Sequence, residues 1–193
     1  MTRAAQDDGW VAELTPARLR AADALVFANT SGELPLGPRK KRALLRFLRH
    51  SGKGFIGTHS ASDTLYTWPT YEQLLGGQFM SHPNVGEGRV IVEDRAHPAT
   101  RRLGGSFRIR EEFYYFQENP RPRAHVLARL DVGSFGGDPG EDRPLVWCRR
   151  EGRGRVFYNA LGHFQETWSN GRQRAITKGA LNWALGLDRA PCG

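Results

Sequence analysis

Two short apolar runs with an amphipathic helix between them constrain this chain more than any other feature. Residues 23–29 (Asp23-Ala24-Leu25-Val26-Phe27-Ala28-Asn29) and 53–58 (Lys53-Gly54-Phe55-Ile56-Gly57-Thr58) are apolar nearly throughout, the pattern of strands buried on both faces. Between them Gly37-Pro38 opens a helix, with proline suited to its first turn, and Gly52 is placed to stop it. Leu44, Phe47 and Leu48 share one face of that helix. Strand, helix, strand at this spacing is a βαβ unit with two adjacent parallel strands. The expectation is an α/β fold with a mainly parallel sheet and helices on both faces.

The formal charge of +8 raises the question of nucleic acid. The arginines are scattered, and the densest run, Arg39-Lys40-Lys41-Arg42 continuing to Arg46 and Arg49, lies on the helix whose other face is apolar. That run reads as a solvated face, so no nucleic-acid partner is expected. No apolar run approaches the roughly 18 residues needed to cross a bilayer. The polar start, Met1 to Asp8, carries no signal-type stretch, so no membrane partner and a cytoplasmic location are expected. Cys148 sits in an apolar strand and Cys192 is penultimate. The pair suggests neither a disulfide framework nor a zinc knuckle, and reads as a packed thiol and a tail residue. At 193 residues the chain fits one domain, 1–193.

Further along, 68–75 reads as a short helix ending at Gly76-Gly77, and 89–93, 107–116 and 124–130 read as strands. A polar glycine-rich loop spans 133–140. Strands 145–148 and 155–158 flank the turn Glu151-Gly152-Arg153-Gly154, and a last helix covers 172–185 with Ile176, Ala180, Trp183 and Ala184 on one face.

In open α/β sheets, sites form beyond the carboxyl ends of the strands. Three clusters fall there. Gly57-Thr58-His59-Ser60-Ala61-Ser62-Asp63 follows the second strand, where a tight strand-to-helix turn exposes its apical side chain as a nucleophile elbow does. Glu111-Glu112-Phe113-Tyr114 is acidic and aromatic, and Leu161-Gly162-His163-Phe164-Gln165-Glu166 follows the strand 155–158. His82-Pro83 and His97-Pro98 add two histidines, of which His97 reads as turn chemistry.

These residues also carry a family pattern. Gly54-Phe55-Ile56-Gly57-Thr58-His59-Ser60-Ala61-Ser62-Asp63-Thr64 with Trp68-Pro69 and Tyr71 resembles the ThuA-like (trehalose utilisation) family. So do Gly76-Gly77-Gln78-Phe79 with His82-Pro83, Glu112-Phe113-Tyr114 with Asn119-Pro120-Arg121, and Pro144-Leu145-Val146-Trp147 followed by Gly154-Arg155-Val156-Phe157-Tyr158 and Leu161-Gly162-His163. The match spans about 23–183. The resemblance implies a flavodoxin-like, class I glutamine amidotransferase-like three-layer fold. It also implies a role in disaccharide or keto-sugar catabolism, and it admits a divalent metal. It marks His59, Glu112 and His163 as the pocket, with His82, Asp63, Tyr114 and Glu166 as second choices. Ser60, Tyr66, Trp68 and Trp168 are candidates for contact with a sugar.

Two departures set further expectations. Family members usually begin with a central strand and a histidine-bearing loop, whereas 1–22 holds no apolar run able to be such a strand. The sheet is therefore expected to lack its usual first strand, with an open or borrowed position beside 23–29 that admits a homodimer. Amidotransferases carry cysteine at the elbow, and here His59-Ser60 stands there, so a cysteine-dependent glutaminase is not expected. The leading expectation is a sugar-processing enzyme working by acid/base or metal-assisted chemistry. The alternative is a non-catalytic sugar-binding or protein-interaction module of the same fold.

Overall fold

A computed structural model describes residues 9–192; the polar start, residues 1–8, lies outside the described residues. Helices α1 (Gly9–Glu13) and α2 (Pro16–Ala21) lead into strand β1 (Ala24–Ala28), helix α3 (Pro38–Arg49) and strand β2 (Gly54–Thr58). Helix α4 (Pro69–Leu75) is followed by strands β3 (Phe79–Ser81), β4 (Gly86–Val92), β5 (Ser106–Glu111), β6 (Tyr115–Phe116), β7 (His125–Asp131), β8 (Arg143–Glu151) and β9 (Gly154–Asn159). Helices α5 (Gln165–Ser169) and α6 (Gly171–Ala184) close the order.

The helix ends follow local chemistry. The Thr15 hydroxyl accepts the Arg18 amide at 3.2 Å with Pro16 just inside α2. Pro69 opens α4, and Gly76, at φ 97°, ends it in the left-handed conformation that glycine adopts without penalty. On α3, Leu44, Phe47 and Leu48 are buried while Arg39, Arg42, Arg46 and Arg49 face solvent, as the apolar spacing predicts.

Among the described residues, seven strands form one sheet in the order β1-β2-β9-β8-β7-β4-β5. The first expectation holds: β1 and β2 are adjacent and parallel, Ala24 opposite Gly54. β2 and β9 are parallel too, but the pairings from β9 through β8, β7 and β4 to β5 are all antiparallel. The sheet is mixed rather than mainly parallel. The reason lies in the connections: β8 and β9 are joined by a tight turn, and tight turns permit only antiparallel neighbours.

Helices cover both faces of the parallel part. A Cβ on Gly54 would meet Ala184 of α6, whereas one on Gly57 would meet Leu75 of α4 and one on Gly154 would meet Leu48 of α3. Gly54 and Gly57 lie on opposite faces of β2, so α6 packs on one face and α3 with α4 on the other. Among the described residues β1 is an edge strand. Phe27 is buried against Trp10 and Phe55 at ring separations of 5.1 and 5.0 Å, but Val26 is 43% exposed. β1 is thus covered on one side only, not on both as its apolar run suggests.

Two further differences bear on the site. The expected strand 107–116 is broken: β5 stops at Glu111, and β6 pairs with β3 in a separate two-stranded ribbon. β5 alternates between exposed and buried residues, but Glu111, Glu112, Phe113 and Tyr114 are all buried. Four consecutive buried residues cannot keep a strand's two-residue period, so the chain turns there. Cys148 of β8 and Cys192 form a disulfide, their Cα atoms 5.7 Å apart across 44 residues of sequence. This corrects the reading of both as unpaired. The tail returns onto the sheet, with Ala190 O accepting Trp183 Nε1–H at 3.1 Å and Cys192 buried, and no local spacing announces that return.

Candidate active site

His59 begins where β2 ends. Its φ is +44°, a left-handed conformation that strains a residue with a Cβ by about 1–3 kcal/mol and needs support from its surroundings. The support is visible. Tyr158 donates its hydroxyl proton to the His59 carbonyl at 2.6 Å, and Ser62 Oγ reaches the same oxygen at 3.3 Å. The elbow expected from sequence is present, with histidine at its apex.

The ring is fixed as firmly. His59 Nδ1 lies 3.0 Å from the Ala160 carbonyl. A carbonyl only accepts, so Nδ1 carries the proton and the Nε2 lone pair turns toward the site. Burial lowers the pKa of His59, despite the raising effect of Ala160, Glu111 and Glu112, and keeps the ring neutral.

Around Nε2 the other groups converge. His163 Nδ1 is 3.1 Å away and Glu112 Oε2 is 3.3 Å away. His163 Nδ1 and Glu112 Oε2 are themselves 3.2 Å apart. Tyr114 donates its hydroxyl to His59 Nε2 at 2.9 Å, and burial, reinforced by Glu112 and Asp63, holds its pKa well above the usual phenol value. Tyr114 is therefore a neutral donor. His82 reaches the second Glu112 oxygen through Nε2 at 3.2 Å while its Nδ1–H is taken by the Pro83 carbonyl at 2.9 Å. The side chains of His82 and His163 are 40% and 39% exposed and that of Glu112 only 10%, so the two histidines form the mouth and Glu112 the floor. Phe79 packs on Tyr114 at 4.3 Å and His82 lies 6.2 Å from the same ring, giving the mouth an aromatic wall.

Two residues that sequence reasoning passed over hold this arrangement. Glu111, fully buried, accepts the amides of Gly162 at 3.1 Å and His163 at 3.2 Å and the hydroxyl of Thr167. A carboxylate thus fixes the loop that presents His163. Strands are spaced about 4.8 Å apart, so flat packing would hold β5 about 19 Å from β9. The Glu111–Gly162 hydrogen bond shows that sheet curl and loops close that gap. The Glu111-Glu112 doublet was the available signal, but it does not say which carboxylate faces which way. Asn29, at φ +52°, donates from Nδ2 to the Gly162 carbonyl at 2.8 Å and ties the end of β1 to the same loop. Asparagine after an apolar strand was its only mark.

The remaining candidates stand apart from the centre. Asp63 accepts Ser31 Oγ and Tyr66 OH, each at 2.6 Å, and so clamps two loops. Tyr66 also reaches the Phe79 carbonyl at 3.2 Å, which links that clamp to the aromatic wall. Ser60 serves through its carbonyl, which accepts Thr64 Oγ1 at 3.1 Å. Trp68 stacks on Tyr71 at 6.3 Å with Lys41 Nζ 5.1 Å from its ring, and Trp168 donates to the Gly162 carbonyl at 3.1 Å. Both tryptophans are engaged in packing. Glu166 is exposed in the first turn of α5. His97 is buried beside Trp183, its Nδ1 accepting the Ala99 amide at 3.1 Å, in the turn role expected of it.

A model of the ThuA family, described as trehalose utilisation, matches residues 2–184. The chain belongs to the ThuA family. Solved structures agree on the fold. A ThuA-like protein from Bacteroides uniformis superposes with a TM-score of 0.78 at 24% identity, over 96% of this chain and 77% of that one. A ThuA-like protein from Parabacteroides merdae gives 0.70 at 20% identity, over 90% and 75%. A candidate GMP synthase component from Thermoplasma acidophilum gives 0.56 at 12% identity, over 89% and 77%. No curated protein matches the chain. Among the described residues of this ThuA chain, no helix is long and apolar enough to cross a membrane.

Proposed function

We propose that this ThuA protein is an enzyme acting on a sugar or keto-sugar at the centre formed by His59, Glu112 and His163. The observation that carries the reading is the convergence of two imidazoles and a carboxylate, from three separate segments, within 3.3 Å of one another. Such a set has no folding role that apolar residues would not serve better, since burying ionisable groups is unfavourable unless they are paired. The family description, trehalose utilisation, supports a carbohydrate substrate. The rings of Phe79, Tyr114 and His82 offer an apolar wall of the kind sugars lie against.

The chemistry follows from the donors and acceptors. A keto group acidifies the neighbouring C–H, and a carboxylate within reach takes that proton as general base. Glu112 has the position, and its other oxygen faces His82 at the exposed mouth. His163 hydrogen-bonds the developing oxygen charge, while Tyr114, which keeps its proton, donates it to His59 Nε2 and holds that ring in place. His59 orients both. The donor set also fits a divalent cation, which would supply Lewis-acid polarisation of an oxygen. Thiolate-dependent glutamine hydrolysis is outside this reading, because the apex of the elbow is His59 and no cysteine adjoins it.

The test is turnover of a panel of disaccharides and their keto derivatives by the purified chain. Glu112→Gln is expected to lower the rate by about 1,000-fold, while the melting temperature stays within a few degrees. Binding of the same sugars without turnover by the wild type would sink the catalytic reading and leave a sugar-binding module.

A further inference from the structure

We propose that His59 Nε2, His163 Nδ1 and one oxygen of Glu112 are ligands for a single divalent transition cation of the zinc class, with a coordination position left open toward the mouth. This rests on the same centre as the proposed function and names what that centre holds.

The three donor atoms form a triangle with edges of 3.1, 3.2 and 3.3 Å. Zinc bonds of about 2.0–2.1 Å in tetrahedral geometry place neighbouring donors about 3.3 Å apart, so the triangle has nearly the size of one tetrahedral face. Proton positions point the same way. Ala160 takes the Nδ1–H of His59, as carbonyls commonly do behind a metal-bound histidine. That leaves the Nε2 lone pair turned into the site, where it accepts the Tyr114 hydroxyl at 2.9 Å with Glu112 Oε2 3.3 Å away. A cation there would take that lone pair in place of the Tyr114 proton and would also offset the carboxylate charge. Glu112 is held on its far oxygen by His82, and Glu111 fixes the backbone of His163. Each ligand therefore has a support of its own. Two imidazoles with one carboxylate are a set that borderline cations accept and magnesium or calcium do not favour.

A second convergent group, His97 with Cys148 and Cys192, has its donors already committed. Its sulfurs are bonded to each other, and the Ala99 amide occupies His97 Nδ1, which places the ring proton on Nε2.

The experiment uses the full chain after dialysis against a chelator. It is titrated with ZnCl2 in competition with a chromophoric chelator, and with CoCl2 followed by visible absorption. The expected result is one equivalent per chain, with Co2+ bands of a four- or five-coordinate site and no thiolate charge-transfer band. Glu112→Gln and His163→Ala should each weaken zinc binding by about 100-fold or more, His82→Ala by about 10-fold, and Cys192→Ser not at all. His163 and Glu112 are chosen because a substitution at His59 would also change the strain of its turn, at φ +44°. A folded wild type binding less than about a tenth of an equivalent at micromolar free zinc would overturn the inference. So would full affinity in both ligand variants. Full sugar turnover by the metal-free chain would also overturn it while leaving the proposed function standing. One tightly held cation in a chain inert toward every sugar supports this inference and removes the other.

Discussion

The two halves of the sheet contribute different things to one centre. The parallel half, β1-β2-β9, supplies turns: His59 at the strained apex after β2, and Gly162 with His163 after β9. Sites beyond the carboxyl ends of parallel strands are a general property of α/β sheets. The antiparallel half, β8-β7-β4-β5, supplies acid and phenol, because Glu111, Glu112 and Tyr114 lie where β5 leaves the sheet. The parallel half alone would present two histidines with no carboxylate between them. The antiparallel half alone would present two buried acids without imidazoles or amides to face. Each half satisfies the polar groups that the other buries.

The strongest way to break that dependence is to remove the carboxylate that crosses between the halves. Glu111→Ala leaves the Gly162 and His163 amides and the Thr167 hydroxyl without their acceptor. Each unsatisfied group costs about 1–3 kcal/mol, so a loss of about 3 kcal/mol or more is expected in chemical denaturation, together with loss of turnover. A fully stable Glu111→Ala chain would mean the halves are held together by other contacts.

A buried histidine away from the centre sharpens the comparison. His97 packs against Phe157 of the parallel half and Trp183 of α6, and burial lowers its pKa from 6.5 to about 4. Between those values the unfolded chain binds a proton that the folded chain refuses. The contribution is therefore fully present above pH 6.5 and is lost as pH falls toward 4, at about 1.4 kcal/mol per pH unit. His97→Asn should flatten the pH dependence of stability in that window without altering turnover at neutral pH. An unchanged slope would show that other groups carry it.

The smallest effect is expected at Tyr114→Phe, which removes one donor to His59 Nε2. A loss of about 1 kcal/mol in stability and about 10-fold in turnover should follow. A rate drop as large as that of Glu112→Gln would make Tyr114 a proton donor rather than a hydrogen-bonding support.

The parallel half was also the more legible in sequence. Its first two strands are short apolar runs set off by Pro38 and Gly52, local marks that survive without tertiary context. The elbow at His59 could be read from the strand that precedes it. The antiparallel half has weaker marks. β3 and β6 are too short for any period to show, and the break after Glu111 looks like continued strand because four aromatic residues, 113–116, follow Glu112. Trp68 and Trp168 were plausible sugar platforms until packing placed them against Tyr71 and Gly162. The roles of Glu111 and Asn29 and the Cys148–Cys192 bond depend on contacts across many residues, which composition and spacing do not encode.

The central claim is that a carboxylate from one half and a histidine from the other act as one unit. A double-mutant cycle on keto-sugar turnover tests it directly, with Glu112→Gln, His163→Ala and the double variant compared at matched folding. Residues that act together lose function together, so the double variant should be about as slow as the slower single variant. If instead the two losses multiply, Glu112 and His163 work independently and the single centre is wrong.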